Sequence, residues 1–198
     1  MMDSHDEDPE AAPGRLAVVE AFINTVELPG SQAGMGLPNE TLSTPGDLER
    51  WFATRDLLED DRRLTEFDLR WARDVREALR AILPPETGDR GPADPGAVET
   101  LNRAARGAQL QLVFGSGASA ALEPSSGGAD GAIGRLLAIV AGAMTTGTWE
   151  RMRRCGNGTC QWAFYDHSKN SSANWCGLRC GNLMKARAYR ARKREARL

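Results

Sequence analysis

The residues with the clearest chemistry are Cys155, Cys160, Cys176 and Cys180, the only cysteines in 198 residues. They form two short-spaced pairs, C-x4-C and C-x3-C, with fifteen residues between them. Each pair can make one turn and the linker can fold back to close the site, which is what a tetrahedral zinc ion needs. Two disulfides are the competing reading. The N-terminus is acidic and lacks an apolar core, so it does not read as a secretory signal, and a reducing compartment favours metal over disulfide. Four thiolates fill the shell, which makes the ion structural and leaves no position open for a substrate. His167 lies in the linker and reads as a surface residue, because four cysteines suffice.

Zinc with four thiolates carries a formal charge of two minus. Arg153, Arg154, Arg179 and Lys185 are close in sequence and can offset it. About forty residues with few aliphatic side chains cannot build a sufficient core, so the metal supplies much of this module's folding energy. Trp162, Phe164 and Trp175 are the aromatic residues available to pack around it.

The run from Arg154, RCGNGTCQWAFYDHSKNSSANWCGLRCGN, resembles the CGNR zinc finger of bacterial proteins. Those proteins join the finger to an N-terminal domain of stress-induced transcription regulators (ABATE-like). The matching residues are Cys155, Cys160, Trp162, Phe164, Asp166, Trp175, Cys176, Cys180, Gly181 and Asn182. Leu183 stands where the motif has arginine, and Ala173 and Asn174 precede Trp175 where the family tends to have arginine. Lys185 or Arg187 is the candidate substitute for those cations. The resemblance reaches FINTVE, Phe22 to Glu27, which is similar to the opening helix motif of that family. It covers most of the chain from about residue 15, loosely in the middle, and implies transcription regulation in a stress response. Phe22, Asn24 and Thr25 then become candidate contacts to a small-molecule effector. Local hydrogen bonding at a helix end is the competing role for the polar pair.

The net charge of −2 hides a split. Residues 1–150 carry 13 Lys+Arg and 25 Asp+Glu, 13 − 25 = −12, and residues 151–198 carry 12 and 2, 12 − 2 = +10. A basic C-terminal part points to a polyanion. No apolar run approaches the roughly 20 residues that span a bilayer, so the sequence predicts no membrane partner and a cytoplasmic location.

Residues 1–14, acidic with two prolines, read as a disordered tail, with internal shielding of the basic end as the alternative. A regulatory domain over 15–147 follows. Leu16, Val19, Ile23 and Val26 mark a helix over 15–27. Residues 28–43 read as a loop, and Thr44-Pro45-Gly46-Asp47 as a helix start that buries Leu48, Trp51 and Phe52. A longer helix spans 64–83, with Trp71, Val75, Ala78, Leu79 and Ile82 inward and its Arg and Glu residues on a solvated face. Another covers 97–106. Gln109 to Phe114 alternates as a strand, and residues 120–123 return to complete a hairpin. Residues 124–131 read as a loop. Ile133, Leu136, Leu137, Val140 and Met144 mark the most apolar helix and the centre of the core. The finger with its basic helix then occupies 148–198.

That last helix carries Lys185, Arg187, Arg190, Arg192, Lys193, Arg194 and Arg197 around nearly every side, so it does not pack into a core. A solubilising tail is the bland reading. Nucleic acid is the sharper one, with Arg179, Asn182, Lys185, Arg187, Arg190, Arg192, Lys193 and Arg194 as contacts. Six cations on phosphate would give a log-log salt slope of about −5.

The sequence therefore predicts a mainly α (α+β) fold: a helical N-terminal domain with a small β-hairpin, then a four-cysteine zinc finger and basic helix. The predicted function is zinc-dependent DNA binding in transcription regulation, with an N-terminal domain that senses a small molecule or forms a homodimer. RNA binding and a thiol/zinc redox switch are the alternatives. No Ser-His-Asp set or phosphate loop stands out, and His5 is the only histidine before residue 150, so enzymatic catalysis is not expected.

Overall fold

The computed structural model describes residues 11–30, 39–60, 62–84, 92–117 and 119–196. Six helices carry most of it: α1 Leu16–Ile23, α2 Pro45–Ala53, α3 Glu66–Ile82, α4 Pro95–Gly107, α5 Gly128–Thr145 and α6 Leu178–Glu195. Three antiparallel ribbons join them: β1 Val26–Glu27 with β2 Asn39–Glu40, β3 Leu110–Phe114 with β4 Ala120–Pro124, and β5 Met152–Arg154 with β6 Ala163–Tyr165. The protein is mainly α with small sheets, as its residue patterns predict. Among the described residues, no helix is long and apolar enough to cross a membrane.

Local chemistry sets the helix starts. Thr44 accepts from the Asp47 amide and Asp47 returns the bond, with Pro45 in the first turn of α2. Thr65 and Asp68 do the same for α3. Each reciprocal pair satisfies amides that a helix N-terminus leaves free.

The apolar helix α5 is central, with α1, α3, α4, β4 and the 3-10 turn Thr148–Arg151 packed on it. Val19, Phe22, Ile23, Leu48, Phe52, Val75, Leu79, Ile133 and Leu136 are fully enclosed. Phe22, Trp51 and Phe52 pack as an aromatic trio, with centroids 5.3 to 6.3 Å apart.

Several expectations are corrected. The first helix ends at Ile23, not Glu27. Thr25 Oγ1 donates to the Phe22 carbonyl at 2.8 Å, a local bond that competes with helix continuation, and Val26–Glu27 pair with Asn39–Glu40 inside the expected loop. Helix α5 starts at Gly128, within the stretch expected to be a loop. Residues 11–14, expected in a disordered tail, are placed: Ala12 lies in the main core and its amide donates to Glu20 at 2.7 Å. The rest of that expectation falls outside the described residues, as does Arg197 of the basic helix.

The charged face of α3 is not wholly solvated. Arg76 and Arg80 are each only 4% exposed. Arg76 donates to both oxygens of Glu40 at 2.8 and 2.7 Å, to Thr25 Oγ1 at 3.0 Å and to Glu77 at 2.9 Å. Burial alone would lower the Arg76 pKa, but its bonds to Glu40 and Glu77 hold it above the ordinary value. Arg80 donates to the Ile23 carbonyl, one that the end of α1 leaves free. Two arginines on one face of α3 thus hold the β1–β2 ribbon and the end of α1.

The main core does not stop where the helical body ends. Gly147, in the left-handed region at φ +78°, turns the chain out of α5. Beyond it, Trp149, Met152 and Ala163 join the same apolar cluster as α1, α3 and α5.

Candidate metal centre

The β5–β6 ribbon brings the first cysteine pair together. The Cys155 amide donates to the Trp162 carbonyl at 2.9 Å, which continues the ribbon into the loop. Inside that loop the Asn157 carbonyl accepts from the Cys160 amide at 2.7 Å and from the Gln161 amide at 3.2 Å. The second pair is brought in by the returning chain, where the Gly156 amide donates to the Asn174 carbonyl at 2.9 Å. Cys176 precedes α6 and Cys180 sits in its first turn.

Asp166 organises the return. It is buried, and its carboxylate accepts from the Ser168 amide at 2.8 Å and the Ala173 amide at 3.0 Å. Burial alone would raise its pKa, but these bonds and nearby Arg153 hold it below the usual carboxylate range. Arg151 donates to the Asp166 and Ser168 carbonyls at 2.8 and 3.0 Å, and Arg153 to that of Ser171 at 3.1 Å. Arg153, expected to offset charge at the metal, braces this loop.

The four sulfur atoms lie within 4.8 Å of one another. Cys160 Sγ is 3.7 Å from Cys176 Sγ, which is 3.9 Å from Cys180 Sγ. A tetrahedron with metal–sulfur bonds of about 2.3 Å has ligand–ligand edges of about 3.8 Å. None of the cysteines is disulfide-bonded, and three of the four are buried. The donor set and its spacing fit zinc. His167 is exposed and lies outside the cluster.

Thiols this close compete for charge. Bonds from Cys160 and Cys176 hold the Cys155 thiol far below the usual range, to about 2, while the bond to Cys155 is the main cause that pushes Cys160 up, to about 12. Cys176 is pushed up as well, chiefly by Cys155 and Cys160. A divalent cation removes this competition, because thiolates are the form that ligates. Bound zinc supplies a rigid crosslink between the 155–160 loop and the first turn of α6.

The surrounding shell holds residues that sequence reasoning missed. Asn157 is fully buried; its Nδ2 donates toward Cys180 Sγ at 3.7 Å, and its Oδ1 accepts from Thr159 Oγ1 at 3.0 Å. The Asn157-Gly158 pair is a turn signal in the sequence, though not one that marks a sulfur contact. Gly30 reaches the finger from the helical body. Its amide donates to the Thr159 carbonyl at 2.9 Å, and its carbonyl oxygen lies 3.7 Å from Cys180 Sγ. A Cβ there would fall 2.2 Å from Thr159 Oγ1 and 2.7 Å from its carbonyl carbon, so only glycine permits this approach. Nothing local in the sequence signals it.

Trp162, Phe164 and Trp175 pack on the cysteines, as expected, and Trp175 lies against Gly181 of α6. Phe22, Asn24 and Thr25 have structural partners. Phe22 is in the core. Asn24 Nδ2 donates to the Ala163 carbonyl at 2.8 Å, and the Ala163 amide donates to Asn24 Oδ1 at 2.9 Å. Thr25 bonds the Phe22 carbonyl and Arg76. The sequence motif thus joins α1 to β6, and its groups are already bonded within the chain.

Arg179, Asn182, Lys185, Arg187, Arg190, Arg192, Lys193 and Arg194 are all exposed on α6, and only Cys180 and Gly181 of that helix are buried. Leu183, in the place of the motif arginine, is 37% exposed. Spacing puts Arg179, Leu183, Arg187, Arg190 and Arg194 along one stripe of the helix.

Comparison with known families agrees with this geometry. Residues 151–193 match the model of the CGNR zinc finger. Residues 16–146 match that of ABATE, described as "Putative stress-induced transcription regulator". No curated protein matches the chain. With two thirds of its length inside the ABATE match and its four cysteines gathered inside the zinc-finger match, the chain belongs to the ABATE family and carries a C-terminal CGNR zinc finger that binds zinc.

Proposed function

We propose that this protein is a cytoplasmic transcription regulator that binds DNA through α6, with the zinc site fixing the direction of that helix. One observation carries the reading. An 18-residue helix rich in arginine and lysine leaves the finger with its first turn held by Cys180 and Gly181 and the rest of its length unburied. Arginine forks suit phosphates and guanine edges, and a helix fits the DNA major groove. Fixing the first turn lowers the ordering cost of binding.

DNA is favoured over single-stranded RNA by the aromatic residues. Trp162, Phe164 and Trp175 are packed on the cysteines, whereas stacking on unpaired bases needs exposed rings. Tyr189, 60% exposed, is the aromatic side chain that α6 offers. Neither matched family is one of enzymes. We assign regulation to the helical body, as effector binding or self-association, with 15–147 and 148–198 as the two functional parts.

Fluorescence anisotropy on labelled random duplex DNA and a structured RNA, across a salt series and with a zinc chelator, tests this. Salt-steep duplex binding, with a log-log slope near −5 and lost on chelation, is the expected result. Preference for the RNA would move the protein to another class. Binding to neither would remove the nucleic-acid role from α6.

A further inference from the structure

The first described residues are fastened beside the finger. Ala12 is buried in the main core. The Ala11 carbonyl accepts from His167 Nε2 at 3.0 Å, a contact across 156 residues, and the His167 ring packs edge-on against Tyr165 of β6 at 4.8 Å. Ala11 therefore lies at the module that carries α6. Residues 1–10 hold Asp3, Asp6, Glu7, Asp8 and Glu10 and no lysine or arginine. Helix α6 has the opposite composition: Glu195 is its single acid among Arg179, Lys185, Arg187, Arg190, Arg192, Lys193 and Arg194.

We propose that residues 3–10 dock along the exposed basic face of α6 in the same chain, as an internal polyanion that nucleic acid must displace. The displacement half rests on the reading of α6 as a nucleic-acid helix; the docking half does not. From Ala11 to Asp3 the chain extends up to about 28 Å, against the roughly 27 Å that 18 helical residues span, so the two lengths match. Charge selects it, because the segment carries five acids and no lysine or arginine, and it starts beside the finger that carries the most basic element. Each exposed pair is weak and screened by salt. The tether offsets this by giving the segment an effective concentration in the millimolar range. A polyanion offering few contacts is then excluded, while a duplex engaging most of the helix displaces the segment.

The test compares the full zinc-loaded chain with a variant carrying Asp3→Asn, Asp6→Asn, Glu7→Gln, Asp8→Asn and Glu10→Gln. The first readout needs no nucleic acid: amide shifts of 182–196 in 15N spectra at ~50 mM salt, and the rate of tryptic cleavage after Arg187 and Arg190. Docking predicts shifts along α6 between the two proteins and several-fold faster cleavage in the neutral variant. Both differences should vanish above about 0.3 M salt. The second readout is affinity for a labelled duplex, expected about tenfold tighter for the neutral variant at ~50 mM salt. His167→Ala, which loosens the anchor and removes no tail charge, should give a smaller change of the same sign. Unchanged α6 shifts and cleavage overturn the proposal, whatever the duplex does. Shifted α6 amides with no duplex binding by either protein support the docking and sink the nucleic-acid reading instead.

Discussion

Helices α1, α3, α4 and α5 close on Val19, Phe22, Leu79, Ile133 and Leu136, whereas the finger closes on four sulfur atoms. The body gains its stability from apolar area, at roughly 25 cal/mol per Å² removed from water. The finger has little such area beyond its three packed aromatics, so its shape depends on deprotonated thiols and a metal. Oxidants, chelators and acid should therefore reach the finger before the body. The two are nevertheless stitched together: Met152 and Ala163 of the finger's ribbon lie in the body's core, Asn24 holds Ala163 by two hydrogen bonds, and Gly30 touches Thr159. A change in one should be felt in the other, which is what a regulator needs.

Removing the metal should break the comparison most sharply. Cys176→Ser should lose bound zinc, measured by metal analysis, and collapse amide dispersion over 155–196. Zinc binding releases thiol protons, so the wild-type site should also weaken as pH falls. The body should remain folded, but with a midpoint lower by several degrees, since Met152 and Ala163 lose their fixed places in its core. An unchanged midpoint would make the finger an independent appendage. Stoichiometric zinc in the variant would overturn the four-sulfur site.

The cysteine spacing, the arginine-rich last helix and the apolar period of α5 from Ile133 to Val140 were all legible in the sequence, because each is a local pattern with a direct physical meaning; Met144, read as the last of that period, is 48% exposed. Thr44 shows the same at a helix start, through Pro45 and Asp47. What was hidden is long-range. Arg76 and Arg80 look like any solvated arginines until Glu40 and the Ile23 carbonyl, far away in the chain, come to them. Asn24 reads as a helix-end residue or a ligand contact, and its partner at Ala163 lies 139 residues on. Gly30 resembles any loop glycine. Pairings of this kind leave no periodicity, so a single sequence does not display them.

Asn24→Ala should produce a middle-sized effect. It leaves the amide and carbonyl of Ala163 without their partner in a partly buried place, at a cost of about 1–3 kcal/mol in denaturant unfolding. Zinc content should stay stoichiometric, because no ligand is touched. Gly30→Ala should act in the same direction through its clash with Thr159. Silence in both would mean that the junction is a contact without coupling, and regulation would have to pass elsewhere.

The smallest expected change, and the most informative about α6, comes from Leu183→Arg. Leu183 interrupts the stripe Arg179, Arg187, Arg190, Arg194 and is over one third exposed, so its replacement should leave folding and zinc unaffected. If this stripe faces the duplex backbone, one added phosphate contact should steepen the log-log salt slope by about 0.9 and tighten binding a few-fold at ~0.1 M salt. An unchanged slope would place the stripe away from DNA. The opposite side, with Lys185, Tyr189 and Arg192, would then be the binding face, and Arg192→Ala would be the variant that loses the contact.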